Sequence, residues 1–321
     1  MTHAETPDAG VVALSGGIGG AKLALGLYRT LGPGRLTVAI NTGDDFEHLG
    51  LHIAPDIDTV AYTLAGISDP VRGWGLEGES WAFMEQLRAL RGEDWFLLGD
   101  RDLATHVLRS EMLRAGASLS QVTADLAARL GIGASLLPMS DDPVRTMVET
   151  DEGVLAFQRY FVERRCAPRV TAIRFEGAAR ARPQPELLAR LADPRLAAIV
   201  ICPSNPYLSV DPLLAVPGLR AAIAAAPAPV IAVSPIIGGK AVKGPTAKIM
   251  EELGLPVSVR AVAEHYRGLI DGLVIDDLDA ADGPHLGLPV AVTRTLMETL
   301  EDRDRLARSV LDFAAALRKH P

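Results

Sequence analysis

Two acidic pairs and a set of glycine- and serine-rich loops are the parts of this sequence equipped for chemistry. Asp44 and Asp45 end the run Asn41-Thr42-Gly43-Asp44-Asp45, and Asp56 and Asp58 follow in Pro55-Asp56-Ile57-Asp58-Thr59. Hard divalent ions such as Mg2+ take one or two carboxylates together with phosphate oxygens and water, a set that two short acidic loops can supply. The same residues also suit local roles, Asp58 as a helix cap and Asp44 as a turn residue. The loop Ser15-Gly16-Gly17-Ile18-Gly19-Gly20-Ala21-Lys22 joins an apolar run to a helical pattern. Glycines there admit a ligand close to the backbone, and the N–H groups that open a helix attract anions, so the loop points to a phosphate-bearing ligand; a close-packed strand–helix turn is the alternative. It is not a dinucleotide fingerprint, because Lys22 stands where the third glycine belongs, and neither Lys22 nor Lys240 has a Walker A surround.

Further polar loops repeat the pattern. Ser204 and Asn205 sit in Pro203-Ser204-Asn205-Pro206, and Ser234-Pro235-Ile236-Ile237-Gly238-Gly239-Lys240 ends another apolar run. Lys240 and Lys243 precede a helix start at Thr246, which makes this segment a second phosphate cradle or a solvated loop. Gly99-Asp100-Arg101-Asp102 heads a helix carrying His106 and Arg109; one of the aspartates can cap it, and a lone His and Arg there read as surface chemistry. Asp141-Asp142-Pro143 is an acidic turn. Trp74, between Gly73 and Gly75, either stacks on a flat ring or fills an apolar gap. No Ser-His-Asp or Cys-His order and no G-x-S-x-G elbow is present, which disfavours acyl-enzyme chemistry and leaves direct, metal-assisted transfer at phosphorus.

These loops need elements to hold them. Apolar runs at Val11–Leu14, Leu36–Ile40, Val170–Phe175, Ala198–Cys202, Val230–Val233, Leu273–Ile275 and Val290–Val292 read as strands. Several alternate with helical stretches at 21–31, 185–192, 218–226 and 246–253, the pattern of a doubly wound, mostly parallel α/β sheet. Helical periodicity dominates from about Thr59 to Leu130, and a last helix is expected over Arg303–Arg318. The expected division is a Rossmann-like nucleotide-binding core over 10–58 and 165–321, with a mainly helical insertion over 59–164 facing the active site. In such sheets ligands bind beyond the carboxyl ends of the strands, where these loops lie.

The chain has 321 residues, 48% of them hydrophobic, enough for a large core. Its formal net charge of −8 argues against nucleic acid as a partner, so an anionic substrate must be held by local devices. The polar start Met1–Gly10 is no secretory signal, and no apolar run reaches the roughly 18 residues of a membrane helix, so a cytoplasmic protein is expected. Cys166 and Cys202 form no C-x-x-C pair and read as reduced structural thiols.

Taken together, the chain resembles the 2-phospho-L-lactate transferase family of coenzyme F-420 biosynthesis. The resemblance rests on Ser15–Lys22, Asn41–Asp45, Pro55–Thr59, Gly73–Gly75, Gly99–His106, Leu137–Pro143, Pro203–Pro206 and Ser234–Pro245 in that order. It implies that the terminal hydroxyl of the deazaflavin Fo attacks the phosphorus bearing an organic acid in a guanosine-diphosphate-linked donor, and that GMP leaves. It also implies a divalent metal, usually Mg2+, on Asp44 and Asp58, with Asp45 and Asp56 as substitutes. Asp44, Asp45 and Asp58 are the implied catalytic residues; an aspartate near the metal is the natural proton acceptor, and spacing does not single one out. The implied nucleotide cradle is Gly16, Gly17, Gly19, Gly20, Lys22, Ser204, Asn205, Ser234, Gly238, Gly239 and Lys240. The implied deazaflavin side is Trp74, Asp100, Arg101, Asp102, His106, Asp141 and Asp142. The donor acid is phospholactate, phosphoenolpyruvate or 3-phosphoglycerate, and one or two side chains would switch among them. A homodimer is the default for such an enzyme. The competing resemblance is to a sister family of nucleotide-sugar-binding regulators, the gluconeogenesis factors; a dinucleotide-dependent oxidoreductase is disfavoured by the missing third glycine.

Overall fold

Strands covered on both faces must be largely apolar, and Val11–Ser15 and Leu36–Ile40 are buried along their whole length with one polar residue each. A computed structural model describes residues 10–242 and 244–317 of the chain. Its strands are β1 (Val11–Ser15), β2 (Leu36–Ile40), β3 (Phe46–His48), β4 (Leu51–Ile53), β5 (Ser135–Pro138), β6 (Arg145–Thr150), β7 (Gly153–Ala156), β8 (Val170–Glu176), β9 (Ala198–Ile201), β10 (Val230–Val233), β11 (Ile236–Ile237), β12 (Lys240–Ala241), β13 (Gly272–Ile275) and β14 (Val290–Val292). Seven of them form one sheet in the order β14-β13-β10-β9-β1-β2-β5. Every pairing in it is parallel. From β1 the chain winds outward through β2 and β5; from β9 it winds the other way through β10, β13 and β14. The order therefore reverses between β1 and β9, the switch point where doubly wound sheets bind ligands.

Alternate residues feed two core layers, one on each face of the sheet. Val12 and Leu14 of β1 pack in one, and Val11 and Ala13 pack in the other beneath α1 (Gly17–Leu31), α2 (Pro55–Ala65) and the C-terminal helix Leu300–Ala316. The expected last helix, Arg303–Arg318, is this one; Arg318 lies outside the described residues. The segment 59–164 supplies α3 (Ala82–Ala89), α4 (Asp100–Arg114) and α5 (Leu119–Arg129). A small apolar cluster of Ile53, Met84 and Leu98 joins it to the hairpin β3–β4. The segment 59–164 also returns β5 to the edge of the main sheet and contributes β6 and β7 to a smaller one.

One expectation needs correcting. The Val170–Phe175 run is a strand, β8, but it pairs antiparallel with β6 in the three-stranded sheet β7-β6-β8 and not with the main sheet. Its residues include the exposed Thr171, Arg174 and Glu176, the half-buried pattern of an antiparallel sheet rather than the fully apolar one of a covered parallel strand. Among the described residues no helix is long and apolar enough to cross a membrane.

Candidate active site

A cavity of about 460 Å3 opens over the carboxyl ends of β1, β2, β9 and β10, at the switch point. The glycine loop forms its floor, and the four glycines meet different needs. Gly17 begins α1 with φ +64, a conformation that side chains resist, and nothing lies within 4 Å of where its Cβ would be. Gly19 and Gly20 serve packing instead: a Cβ on Gly19 would strike the Pro203 carbonyl, and one on Gly20 would come within 2.6 Å of Ser204 Oγ. Ser204 Oγ donates to the Gly16 carbonyl at 2.8 Å and so ties the two strand-end loops together. Asn205 caps the short turn of helix Pro206–Val210 through Oδ1, which accepts from Tyr207 and Leu208, while its buried Nδ2 has no protein partner. Lys22 reaches the Met297 carbonyl at 2.7 Å, bringing the segment 295–297 onto the cavity wall.

The first acidic site is Asp44 with Asp56. Both are buried and line the cavity. Asp56 accepts from the Gly17 N–H at 2.6 Å and from Asn41 Nδ2 at 2.9 Å, so a carboxylate already occupies the first amide of the helix start. The side-chain hydrogen bonds to Asp44 come from amides, Asn41 Nδ2 at 3.5 Å and Gln158 Nε2 at 3.4 Å, and the Arg145 guanidinium acts on it only through space. Burial pushes Asp56 up to about 6, opposed by the Asn41 and Gly17 hydrogen bonds. Burial and the neighbouring Asp56 and Asp45 carboxylates hold Asp44 well above the usual carboxylate range. Buried negative charge with no cation in hydrogen-bond contact, presented by hard oxygens at a phosphate-sized cavity, fits a hard divalent ion.

Asp58 belongs to a different set. From the first turn of α2 it meets α4, where Arg109 Nη2 donates to Asp58 Oδ1 and His106 Nδ1 stands 3.6 Å from Asp58 Oδ2. His106 Nε2 lies 3.2 Å from Asp102 Oδ2, and Tyr62 donates its hydroxyl proton to Asp102 Oδ1 at 2.6 Å. Burial raises Asp58 above its ordinary value, with Arg109 and His106 pulling the other way. Among the described residues Asp58, Asp102 and His106 are the set of three metal-capable groups whose donor atoms converge. Here, however, the Arg109 guanidinium already neutralises Asp58. The expected metal pair is thus divided: Asp44 sits with Asp56, and Asp58 sits in the ion-pair network of α4.

Gly16, Gly17, Gly19, Lys22, Asp44, Asp58, Trp74, Asp102, His106, Ser204, Asn205 and Ser234 all line the cavity. Trp74 stands at its mouth, 37% exposed, with Arg72 between it and Trp81. The other expected site residues lie elsewhere. Gly20 is packed beneath the loop. Asp45 turns to His52 Nε2 at 3.2 Å and lines a smaller pocket of about 120 Å3 behind Asp44. Asp100 accepts from the Ala82 and Phe83 N–H groups that open α3, while Glu79 accepts from the Arg101 and Asp102 N–H groups that open α4, a crossed pair of caps. The Arg101 side chain donates to the Glu77 carbonyl. Asp141 accepts from Ser120 at the start of α5, and Asp142 pairs with Arg182. Gly238 and Gly239 form the β11–β12 turn, their N–H groups bound by Asp279, and Lys240 is exposed beyond it. Lys243 lies outside the described residues.

Arg109, read from the sequence as surface chemistry, is fully buried. Tyr62 and Gln158 also join the site without a sequence signal, since each is one polar residue in an otherwise ordinary segment; Asn41 opens the acidic run but its role in bridging Asp44 and Asp56 was not legible there. Phe96, Phe157 and Phe161 complete an apolar wall on the insertion side.

The architecture is that of a known α/β class. A solved member of the UPF0052 family from Bacillus halodurans superposes with a TM-score of 0.63 at 15% identity, covering 95% of this chain and 99% of that one. The family model for 2-phospho-L-lactate transferase CofD matches residues 11–284. A phosphoenolpyruvate transferase from Kitasatospora aureofaciens is 44% identical, covering 96% of this chain and 98% of its own length. A 2-phospho-L-lactate transferase from Methanosarcina mazei is 40% identical over 94% of this chain and 99% of its own. This chain belongs to the 2-phospho-L-lactate transferase family.

Proposed function

We propose that this chain moves a phospho-acyl group from a guanosine-diphosphate-linked donor to the terminal hydroxyl of the deazaflavin Fo and releases GMP. The observation that carries the reading is the pairing of two unlike walls in one cavity. On one side stand the α1 N-terminus and the Asp44–Asp56 pair, which has no cation in hydrogen-bond contact; on the other, Asp58 presents a buried oxygen, Oδ2, with no hydrogen-bond partner. Asp44 and Asp56 would hold Mg2+, which when bound neutralises charge on the diphosphate. The amides of α1 beyond Gly17, with Ser204 and the free Nδ2 of Asn205, clamp the donor's phosphates. Trp74 and the phenylalanine wall hold a flat acceptor ring and exclude water. The acceptor oxygen bonds to the phosphorus carrying the acid, the bond from that phosphorus to the GMP oxygen breaks, and the hydroxyl proton passes to an aspartate of the cavity wall, Asp58 being the candidate on the acceptor side. Placing both partners in one cavity removes most of the entropic cost of the encounter.

Titration with Fo, followed by deazaflavin fluorescence with and without GDP and Mg2+, tests the reading. Saturable binding, then GMP release with one of the phospholactyl, phosphoenolpyruvyl or 3-phosphoglyceryl donors, is the expected result. Nucleotide-sugar binding with no affinity for Fo would point instead to a regulator like the gluconeogenesis factors.

A further inference from the structure

Two carboxylates at the end of β13 belong to neither acidic set of the site. β13 lies between β14 and β10 in the sheet, so the loops that follow both neighbours flank its carboxyl end. Asp276 turns to one of them: its Oδ2 accepts from the Thr295 N–H at 2.7 Å and from the Thr295 hydroxyl at 3.0 Å, while its Oδ1 caps the 3-10 helix Asp277–His285 through the Leu278 N–H. Asp279, in the first turn of that helix, serves the other. Its Oδ2 accepts from the Gly238 N–H at 2.8 Å and its Oδ1 from the Gly239 N–H at 3.1 Å. Both aspartates are buried and neither lines the cavity, but Thr295 does, and so do Ile237 and Val242 on either side of the Gly238-Gly239 turn.

The β11–β12 hairpin needs such a hold, because strands of two residues each are too short to be stable alone. Its base is fixed by the buried Ile236, whose N–H donates to Ser234 Oγ at 3.1 Å. Its tip has φ +57 at Gly238 and +70 at Gly239, so two successive N–H groups point into one concavity of the kind that takes an anion. Here the anion is the protein's own. The Gly-Gly turn that reads from the sequence as part of a phosphate cradle is filled by Asp279, one oxygen to each N–H.

We propose that Asp279 is a positioning residue for the donor: by filling the Gly238-Gly239 turn it seats the hairpin tip, and with it Ile237 and Val242, as a wall of the cavity. β10 adjoins β9, whose end carries Ser204 and Asn205, so under the transferase reading, on which this rests, the hairpin walls the donor's side and residues of 59–164 wall the acceptor's. Losing the carboxylate leaves the base of the hairpin in place and lets its tip leave the wall. Donor affinity then falls by the fraction of molecules in which the tip stays seated.

The test combines kinetics and GDP titration with amide hydrogen exchange at Gly238 and Gly239. In Asp279→Ala, exchange at both amides should quicken, and the donor KM and GDP dissociation constant should rise about tenfold, with the Fo KM within about twofold of wild type. Added formate, at constant ionic strength, replaces the missing carboxylate in the exposed turn and should slow the exchange and restore most of the donor KM. Asp279→Asn keeps the shape and one acceptor oxygen, and is the variant to read if Asp279→Ala does not fold; a rise of about threefold in donor KM is expected there. An unchanged donor KM in the variant that is read overturns the proposal. So do equal rises in the donor and Fo KM values, since general loosening would cause those, and a loss in Asp279→Ala that formate leaves untouched. If the wild type neither binds GDP nor releases GMP, the transferase reading is what fails, and the exchange and formate arms still decide whether Asp279 seats the hairpin. An active wild type beside an unaltered variant sinks Asp279 alone.

Discussion

At the scale of single residues, the site assigns its carboxylates by what surrounds each one. Asp58 has one oxygen bonded to Arg109 and one buried without a hydrogen-bond partner, so Asp58→Asn is expected to fold, because the amide oxygen can still accept from Arg109, and to bind nucleotide. Its turnover should fall about 100- to 10,000-fold, the usual loss when a proton acceptor is removed. Single-turnover GMP release beside a GDP titration checks this, and full activity would remove Asp58 from the chemistry. Trp74→Ala should weaken Fo binding about tenfold while leaving GDP affinity unchanged, since its half-exposed ring offers a flat apolar face and no group for a phosphate. Equal affinities in wild type and variant would make Trp74 a packing residue. The acidic and glycine-rich strand ends were legible because they break apolar runs abruptly. Arg109 was not, because burial of a lone arginine depends on Asp58, 51 positions away in sequence, which spacing on one helix does not reveal.

At the scale of elements, the glycine loop makes the sharpest contrast. Gly19→Ala forces a methyl against the Pro203 backbone carbonyl, which cannot turn aside, so α1 or the loop after β9 must move. We expect a stability loss of about 1–3 kcal/mol and a clear drop in GDP affinity, measured by denaturant melts and calorimetric titration. Gly17→Ala meets no neighbour but keeps a positive φ, so it should cost only about 1–2 kcal/mol of backbone strain. If the two variants behave alike, close approach of the helix to Pro203 is not what Gly19 provides. The short, mostly apolar strands and amphipathic helices of this layer could be read from periodicity. β5 could not: Ser135–Pro138 is four residues ending in proline, acceptable only because it forms the sheet edge. The crossed caps of α3 and α4 were equally hidden, since Asp100 looks like a cap for its own helix and instead serves the neighbouring one.

At the scale of the whole molecule, the acidic cluster makes folding stability depend on pH in a direction opposite to that of a salt-bridged carboxylate. Asp44 and Asp56 bind protons more tightly in the folded chain than in the unfolded one, Asp56 with its value raised to about 6. Their contribution is therefore fully present below the unfolded carboxylate value of about 3.9 and is lost as pH rises through about 6. For Asp56 alone a shift of about two units corresponds to roughly 3 kcal/mol, an order-of-magnitude figure. Other groups titrate over the same range, so the informative quantity is the difference between wild type and Asp56→Asn, whose amide can still accept from Gly17. Without divalent ions, the variant should gain stability relative to wild type as pH goes from 4 to 7, by a few degrees in melting temperature for a chain of this size. Saturating Mg2+ should remove most of that gap at pH 7 and little of it at pH 4.5, because a cation binds the ionised pair and not the protonated one. Parallel melting curves at all pH values, with or without Mg2+, would mean that the pair is ionised at no cost in the folded chain. The Asn41 and Gly17 donors would then suffice to hold the charge, and the case for a cation on Asp44 and Asp56 would fall with it.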